Sequence, residues 1–273
     1  MAIYVSKALR ELYPEIVATL EKHVKLVEID SPNIWARDYM PLKIHGQYVK
    51  FKYKGYEGFP QLQVDYRCWA HLNARESDII LDGGNAVQDE STAFITEIVF
   101  TYNPDVSVNH LKQFLQDTFC KKIIYIPVEP GDDLGHADGI IKFIDEKTVF
   151  INDYRSWINQ SQYEYAIKLE RVLKDNGFQF VQFPWAYSKC PQMTEAEFRR
   201  KYPYADDYNP GFGYYINYLQ TPDHIFMPQF GIEEDESAMI IARRYFPDHE
   251  VVPVDCKDLS MLGGLMNCVT WED

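Results

Sequence analysis

Apolar residues recur along this chain at two spacings, and the spacings alternate in a fixed order. Leu9, Leu12, Ile16, Leu20 and Val24 follow Ser6 at three- and four-residue steps, which predicts a helix over residues 6–23 capped by the Ser6 hydroxyl. Residues 24–29 then alternate apolar and polar side chains, the two-residue period of a strand. A loop over 31–40 leads into two strand-like runs, 42–44 and 48–53, about the turn His45-Gly46-Gln47.

The order helix, strand, loop, hairpin then returns. The second unit has a weaker helix near 60–72, a strand at 78–81, the loop Asp82-Gly83-Gly84-Asn85 and strand material at 86–87 and 92–100. The third has a clear helix at 106–119, a strand at 123–127, a loop at 131–136 and a hairpin from 138–144 and 148–152. The fourth has a helix at 162–174 closed by Asn176-Gly177, a strand at 179–183, and a long Tyr- and Pro-rich loop over 184–213 whose length suits a binding element or lid. Its hairpin is expected from 214–218 and 224–227. A helix at 233–246, acidic in its first turn and basic in its last, and a strand at 251–254 open the fifth unit. The fifth hairpin is cut. Its halves are 269–271 and the opening strand 3–5, so pairing of the two chain ends would close a ring of units, none of which can bury its apolar face alone. Deleting residues 1–5 is therefore expected to harm the fold, and removing the two residues after Trp271 to be tolerated.

Composition narrows the setting. A chain of 273 residues, 46% hydrophobic and 15% aromatic, can bury a substantial core. A net charge of −14 argues against nucleic acid or an anionic membrane as partner and mildly favours a cationic ligand. No apolar stretch reaches membrane-spanning length and the first residues do not read as a secretion signal, so a cytoplasmic protein is expected. The five cysteines are odd in number and widely spaced, suggesting neither a disulfide framework nor a zinc site.

The chemistry-bearing residues fall at one station of the repeat, in the loop after the strand that follows each helix. Arg37 and Asp38 occupy it in the first unit, Asp82 in the second, His136 and Asp138 in the third and Cys268 in the fifth, so a ring would gather them at one end of its axis. Most free cysteines are small buried hydrophobes. Cys268 differs because Gly263-Gly264 hinge its segment and the station sets it among an imidazole and several carboxylates, a grouping that suits cysteine nucleophilic catalysis. His136 and Asp138 stand two residues apart on a segment read as extended, hence on one face. Cys68, Cys120, Cys190 and Cys256 are read as inert, and the other histidines, His23 and His224 among them, as structural.

Together Trp35 to Pro41, Asp82 to Asn85, Gly135 to Asp138, Tyr215 to Tyr218 with Met227 to Gly231, and Gly263 to Thr270 resemble the agmatine deiminase and bacterial peptidylarginine deiminase family of the guanidino-group-modifying superfamily. The likeness is collinear over nearly the whole chain. It implies one catalytic domain over residues 1–273 with the five-bladed α/β propeller, or pentein, fold of pseudo-fivefold repeated ββαβ units, in agreement with the repeat count. It also implies hydrolysis of the guanidino group of agmatine or a related small compound to a ureido product and ammonia, with neither metal nor organic cofactor, and with a homodimer among the assemblies it allows. Cys268 would attack the guanidinium carbon, His136 would serve as acid and then base, and Asp82 would orient His136. Asp38 and Asp138 would grip the guanidinium, and Arg37, Trp35 and Asn217 complete the expected substrate-binding set, with Trp35 as pocket wall. Nearby carboxylates should raise the thiol pKa, so thiolate formation would depend on a protonated His136 and the bound cation. Asn267 stands where the family commonly has His, Asp82 is one methylene shorter than the usual Glu, and Met40 replaces the glycine before Pro41. Amidinotransferase, peptidyl-arginine deiminase and a guanidine-binding relative without turnover are the alternatives.

Overall fold

A computed structural model describes residues 1–56, 64–156, 160–203 and 210–273. The first strand, β1 (Ile3–Ser6), is followed by α1 (Lys7–Leu12), α2 (Pro14–Glu21) and β2 (Leu26–Ile29). Ser6 caps α1 by accepting the Leu9 amide at 3.0 Å, as its position predicts. The expected single helix breaks at Tyr13, because Pro14 has no N–H to donate and suits the first turn of a new helix instead. A short helix α3 (Ala36–Tyr39) precedes β3 (Leu42–Ile44), β4 (Gln47–Lys52) and β5 (Arg75–Ile80). His45 and Gly46, at φ 48° and 76°, make the two-residue turn between β3 and β4. The helix expected near 60–72 falls partly outside the described residues; its described part forms two short 3₁₀ turns, Tyr66–Cys68 and Ala70–Leu72.

The third blade comprises β6 (Ala86–Gln88), β7 (Thr92–Thr96), α4 (Ile98–Tyr102), α5 (Val108–Phe119) and β8 (Lys122–Ile126), so the strand expected to continue to residue 100 turns helical after Thr96. In the fourth come β9 (Ile141–Phe143), β10 (Thr148–Asn152), α6 (Gln160–Asp175) and β11 (Gln179–Phe183). The long loop after β11 carries α7 (Glu195–Lys201) behind a Thr194 and Glu197 capping box, and it buries Phe198 and Tyr202 in the core. The fifth blade is β12 (Leu219–Gln220), β13 (His224–Gln229), α8 (Glu234–Tyr245) and β14 (Glu250–Asp255), and β15 (Thr270–Glu272) is the last strand. The strand expected at 214–218 is absent. Tyr214 makes only an isolated bridge to Trp185, and Tyr214 and Tyr215 spend their hydroxyls on Glu129 and Asp235.

Among the described residues the strands form five three-stranded sheets, each with an antiparallel pair followed through its connection by a parallel third strand. This is the five-bladed arrangement the repeat predicts. The first blade is assembled from both chain ends, with Ile3, Tyr4 and Val5 opposite Glu272, Trp271 and Thr270. Apolar clusters fill the seams between blades: Leu111, Leu115 and Phe119, spaced one helical turn apart on α5, pack with Val49 and Phe51 of the second blade. The first strands of the blades face inward. Their residues line a cavity of about 970 Å³ together with Gly83, Asp138 and Asn267.

Candidate active site

The loops that enter the first strands converge at one end of the axis. Cys268 is held by its backbone: the Arg37 amide donates to its carbonyl at 3.0 Å, and the Val269 amide and Thr270 hydroxyl donate to Leu265 and Met266 carbonyls at 3.2 and 2.7 Å. Gly264 lets this segment approach Trp35, since a Cβ there would sit 2.3 Å from the indole. The Cys268 thiol faces Asn217 Oδ1 at 3.3 Å and Asp138 Oδ2 at 3.7 Å. Burial first, then the Asp138 and Asp38 charges, push its pKa well above the ordinary thiol value.

His136 lies between two carboxylates, with Nε2 3.0 Å from Asp82 Oδ2 and Nδ1 3.5 Å from Asp38 Oδ1. Its segment is not extended as expected, because Ala137–Gly139 form a 3₁₀ turn. His136 and Asp138 nevertheless both reach the site. Burial disfavours an imidazolium, but Asp38 and Asp82 outweigh it and raise the His136 pKa, so the ring is protonated at neutral pH. Asp38 is raised by burial and by Asp138 and Asp82, while His136 pulls it back. The Lys54 amide fixes the other Asp82 oxygen at 2.6 Å, and the Gly84 amide fixes Asp38 Oδ1 at 2.9 Å.

Gly84, in the loop Asp82-Gly83-Gly84-Asn85, is where these groups converge. A Cβ there would stand 2.6 Å from Asp38 Oδ1, 3.0 Å from His136 Nδ1 and 3.2 Å from Asp138 Oδ1, filling the space between them.

Arg37 is directed away from this space. Its guanidinium forms a two-point pair with Glu272, Nη1 to Oε1 at 3.1 Å and Nη2 to Oε2, while Nε donates to the Asn267 carbonyl at 3.3 Å. The structure thus reverses the expectation that the residues after Trp271 are dispensable, since Glu272 is the partner of Arg37. Asn217 touches the nucleophile and also donates to the Asp138 carbonyl at 3.3 Å.

Two groups at the site, Lys142 and Glu129, carry no mark in the sequence. Asn267 donates to Asp138 Oδ2 at 2.7 Å, and Lys142 in turn donates to Asn267 Oδ1 at 2.9 Å and to the Tyr218 carbonyl at 3.1 Å. Burial, then Arg37, lowers the Lys142 pKa to about 8. Behind them, Glu129 accepts the Tyr214 and Tyr154 hydroxyls at 2.7 and 2.8 Å, and burial raises it to about 8. A lysine on a short strand and a glutamate in a loop carry no local pattern that would have marked them.

Known proteins share this architecture. The agmatine deiminase of Pseudomonas aeruginosa is 25% identical over 92% of this chain and 77% of its own length. The structure of the Enterococcus faecalis agmatine deiminase superposes with a TM-score of 0.77 at 18% identity, covering all of this chain and 92% of that one. An amidinotransferase from Microseira wollei shares the fold more distantly, at TM-score 0.59 and 13% identity over 97% of this chain and 82% of its own, so the fold alone does not separate hydrolysis from transfer. Residues 2–273 match the family of Porphyromonas-type peptidyl-arginine deiminases, and this chain belongs to that family.

Proposed function

We propose that this protein is a deiminase that hydrolyses the guanidino group of agmatine or a related small guanidino compound, with Cys268 as nucleophile. The observation that carries the reading is the placement of an imidazole paired with Asp38 and Asp82, and of the Asp38 and Asp138 carboxylates, around the gap left by Gly84, with the buried Cys268 thiol against Asp138. Asp38 and Asp138 suit a planar cation, because two carboxylates bind its N–H groups by charge-assisted hydrogen bonds and fix its approach to the sulfur. As the cation binds, the Cys268 proton passes to solvent, and the thiolate bonds to the guanidinium carbon, whose C=N π pair moves onto nitrogen. His136 then protonates one nitrogen, which leaves as ammonia, giving a thiouronium on the sulfur. Neutral His136 next takes one proton from water as its oxygen bonds to the same carbon, and breakage of the carbon–sulfur bond, with the remaining hydroxyl proton passing to solvent or the released ammonia, yields the ureido product and restores the thiolate. Asp82 keeps the imidazole oriented and cationic between turnovers. Arg37 acts here as a positioning residue for the Cys268 and Asn267 backbone, Trp35 as the wall behind Gly264, and Asn217 as the acceptor that orients the thiol.

A colorimetric assay for ureido product over agmatine, arginine, other small guanidines and arginyl peptides, with and without an amine acceptor, tests the reading. Ammonia and ureido product in equal amounts support it. Amidine transfer to the acceptor would replace hydrolysis by transfer, and no product from any compound would sink both.

A further inference from the structure

At the end of the ring remote from Cys268, two histidines and a glutamate from two blades meet. His224 opens β13 and Glu250 opens β14, paired with each other in the parallel ladder, and their backbones are tied to the same turn: His224 N to Thr221 Oγ1 at 3.0 Å and Glu250 N to Asp223 O at 2.9 Å. His23 comes from the first blade, in the turn after α2, with its amide held by Leu20 O at 3.0 Å. Its ring meets that of His224 edge to face at 5.0 Å, and the buried ring of Phe226 floors both at 5.8 Å.

His23 Nδ1 and His224 Nε2 are both directed at one carboxylate oxygen, Glu250 Oε2, at 3.9 and 3.6 Å, and the three donor atoms lie within 4.8 Å of one another. These separations are too long for hydrogen bonds. Donors about 2.1 Å from a shared tetrahedral ion stand about 3.4 Å apart, so closing the His23–Glu250 contact by about 0.5 Å and the His224–Glu250 contact by about 0.2 Å would bring the carboxylate to coordination distance of the two imidazoles. The two imidazoles are 22% and 17% exposed, whereas the Glu250 side chain at 64% is free to supply that movement.

We infer that His23, His224 and Glu250 form a binding site for a transition-metal dication of the zinc type, which clips the fifth blade to the first. Two imidazole nitrogens and one carboxylate oxygen select such an ion over magnesium or calcium, which prefer all-oxygen sites. Three protein donors leave a fourth position for water. The clip joins the neighbour of the first blade to the blade that holds both chain ends, so its effect is on the cohesion of the ring.

The test uses the full chain carrying Cys268→Ala, which removes the buried active-site thiol as a competing ligand. Thermal unfolding is followed after chelator treatment and again with zinc at about a hundredfold over its dissociation constant from calorimetry. One zinc per chain and a rise in Tm of about 5 °C are expected. Glu250→Gln, an isosteric change at an exposed side chain, and His23→Ala should each weaken binding at least tenfold and abolish the rise. Cobalt should give d–d absorption without a thiolate charge-transfer band. No binding, an equal Tm rise in the Glu250→Gln and His23→Ala variants, or a thiolate band would each overturn the site.

Discussion

The pair between Arg37 and Glu272 makes a demand that can be given a magnitude. Replacing Glu272 with Ala leaves a guanidinium whose side chain is only 13% exposed facing the cavity without its carboxylate, although Glu272 itself is 37% exposed. Breaking a fully buried ion pair by removing one partner costs about 3–5 kcal/mol; contact with solvent in the cavity reduces this to about 2 kcal/mol. For a chain of this size that corresponds to a Tm lower by roughly 5 °C. Arg37 also holds the Cys268 and Asn267 carbonyls, so the loss of stability should come with a lower kcat. Urea unfolding of Glu272→Ala, Arg37→Met and the double variant forms a thermodynamic cycle, in which the pair should show a coupling of at least about 1 kcal/mol. A loss below about 0.5 kcal/mol, or an additive cycle, would refute the reasoning and return Arg37 to the role of a free substrate-binding group.

Deleting residues 1–5 removes Ile3, Tyr4 and Val5, all buried, and unpairs β15. At about 1.5–3 kcal/mol per buried side chain this approaches the whole stability of a typical domain, so an active, fully folded deletion would contradict closure of the ring. Glu129→Gln should flatten the pH dependence of stability. The folded carboxyl, raised to about 8, keeps a proton that the unfolded chain loses near its ordinary value of 4.5, so the stabilisation present below 4.5 is lost as pH rises toward 8, at up to about 1.4 kcal/mol per unit. Equal wild-type and variant slopes in that window, measured by urea unfolding, would exclude the assignment. Lys142→Met frees the Asn267 side chain that holds Asp138, and kcat/KM should fall about tenfold to a hundredfold, with partial recovery in Lys142→Arg; activity within twofold of wild type would show that the relay is dispensable.

Much of this arrangement was legible in the sequence because it rests on periodicity. The alternation of three-and-four spacing with two-residue spacing marked the blades, and the incomplete fifth hairpin implied the pairing of residues 3–5 with the last strand. The repeat also set Asp38, Asp82, His136, Asp138 and Cys268 at one station, and these residues do meet. What it could not show is a contact with no local signature. Arg37 and Glu272 are 235 residues apart, and Lys142 and Asn267 are 125 apart, each on a segment whose pattern reads only as strand or loop. Tyr214 and Tyr215 misled for a related reason: the alternation of a strand also suits aromatic side chains packed on several sides, whose hydroxyls seek carboxylates elsewhere. Pro14 was the one local signal that could have divided the first helix.

The account stands on covalent attack by Cys268. Rapid acid quench of the protein with each guanidino compound that yields product, followed by proteolysis and mass spectrometry, reads it directly. An amidino adduct should appear on the peptide that carries Cys268, form before the ureido product is released, and disappear in Cys268→Ala together with turnover. Ureido product from Cys268→Ala, or turnover with no adduct on that cysteine, would contradict it.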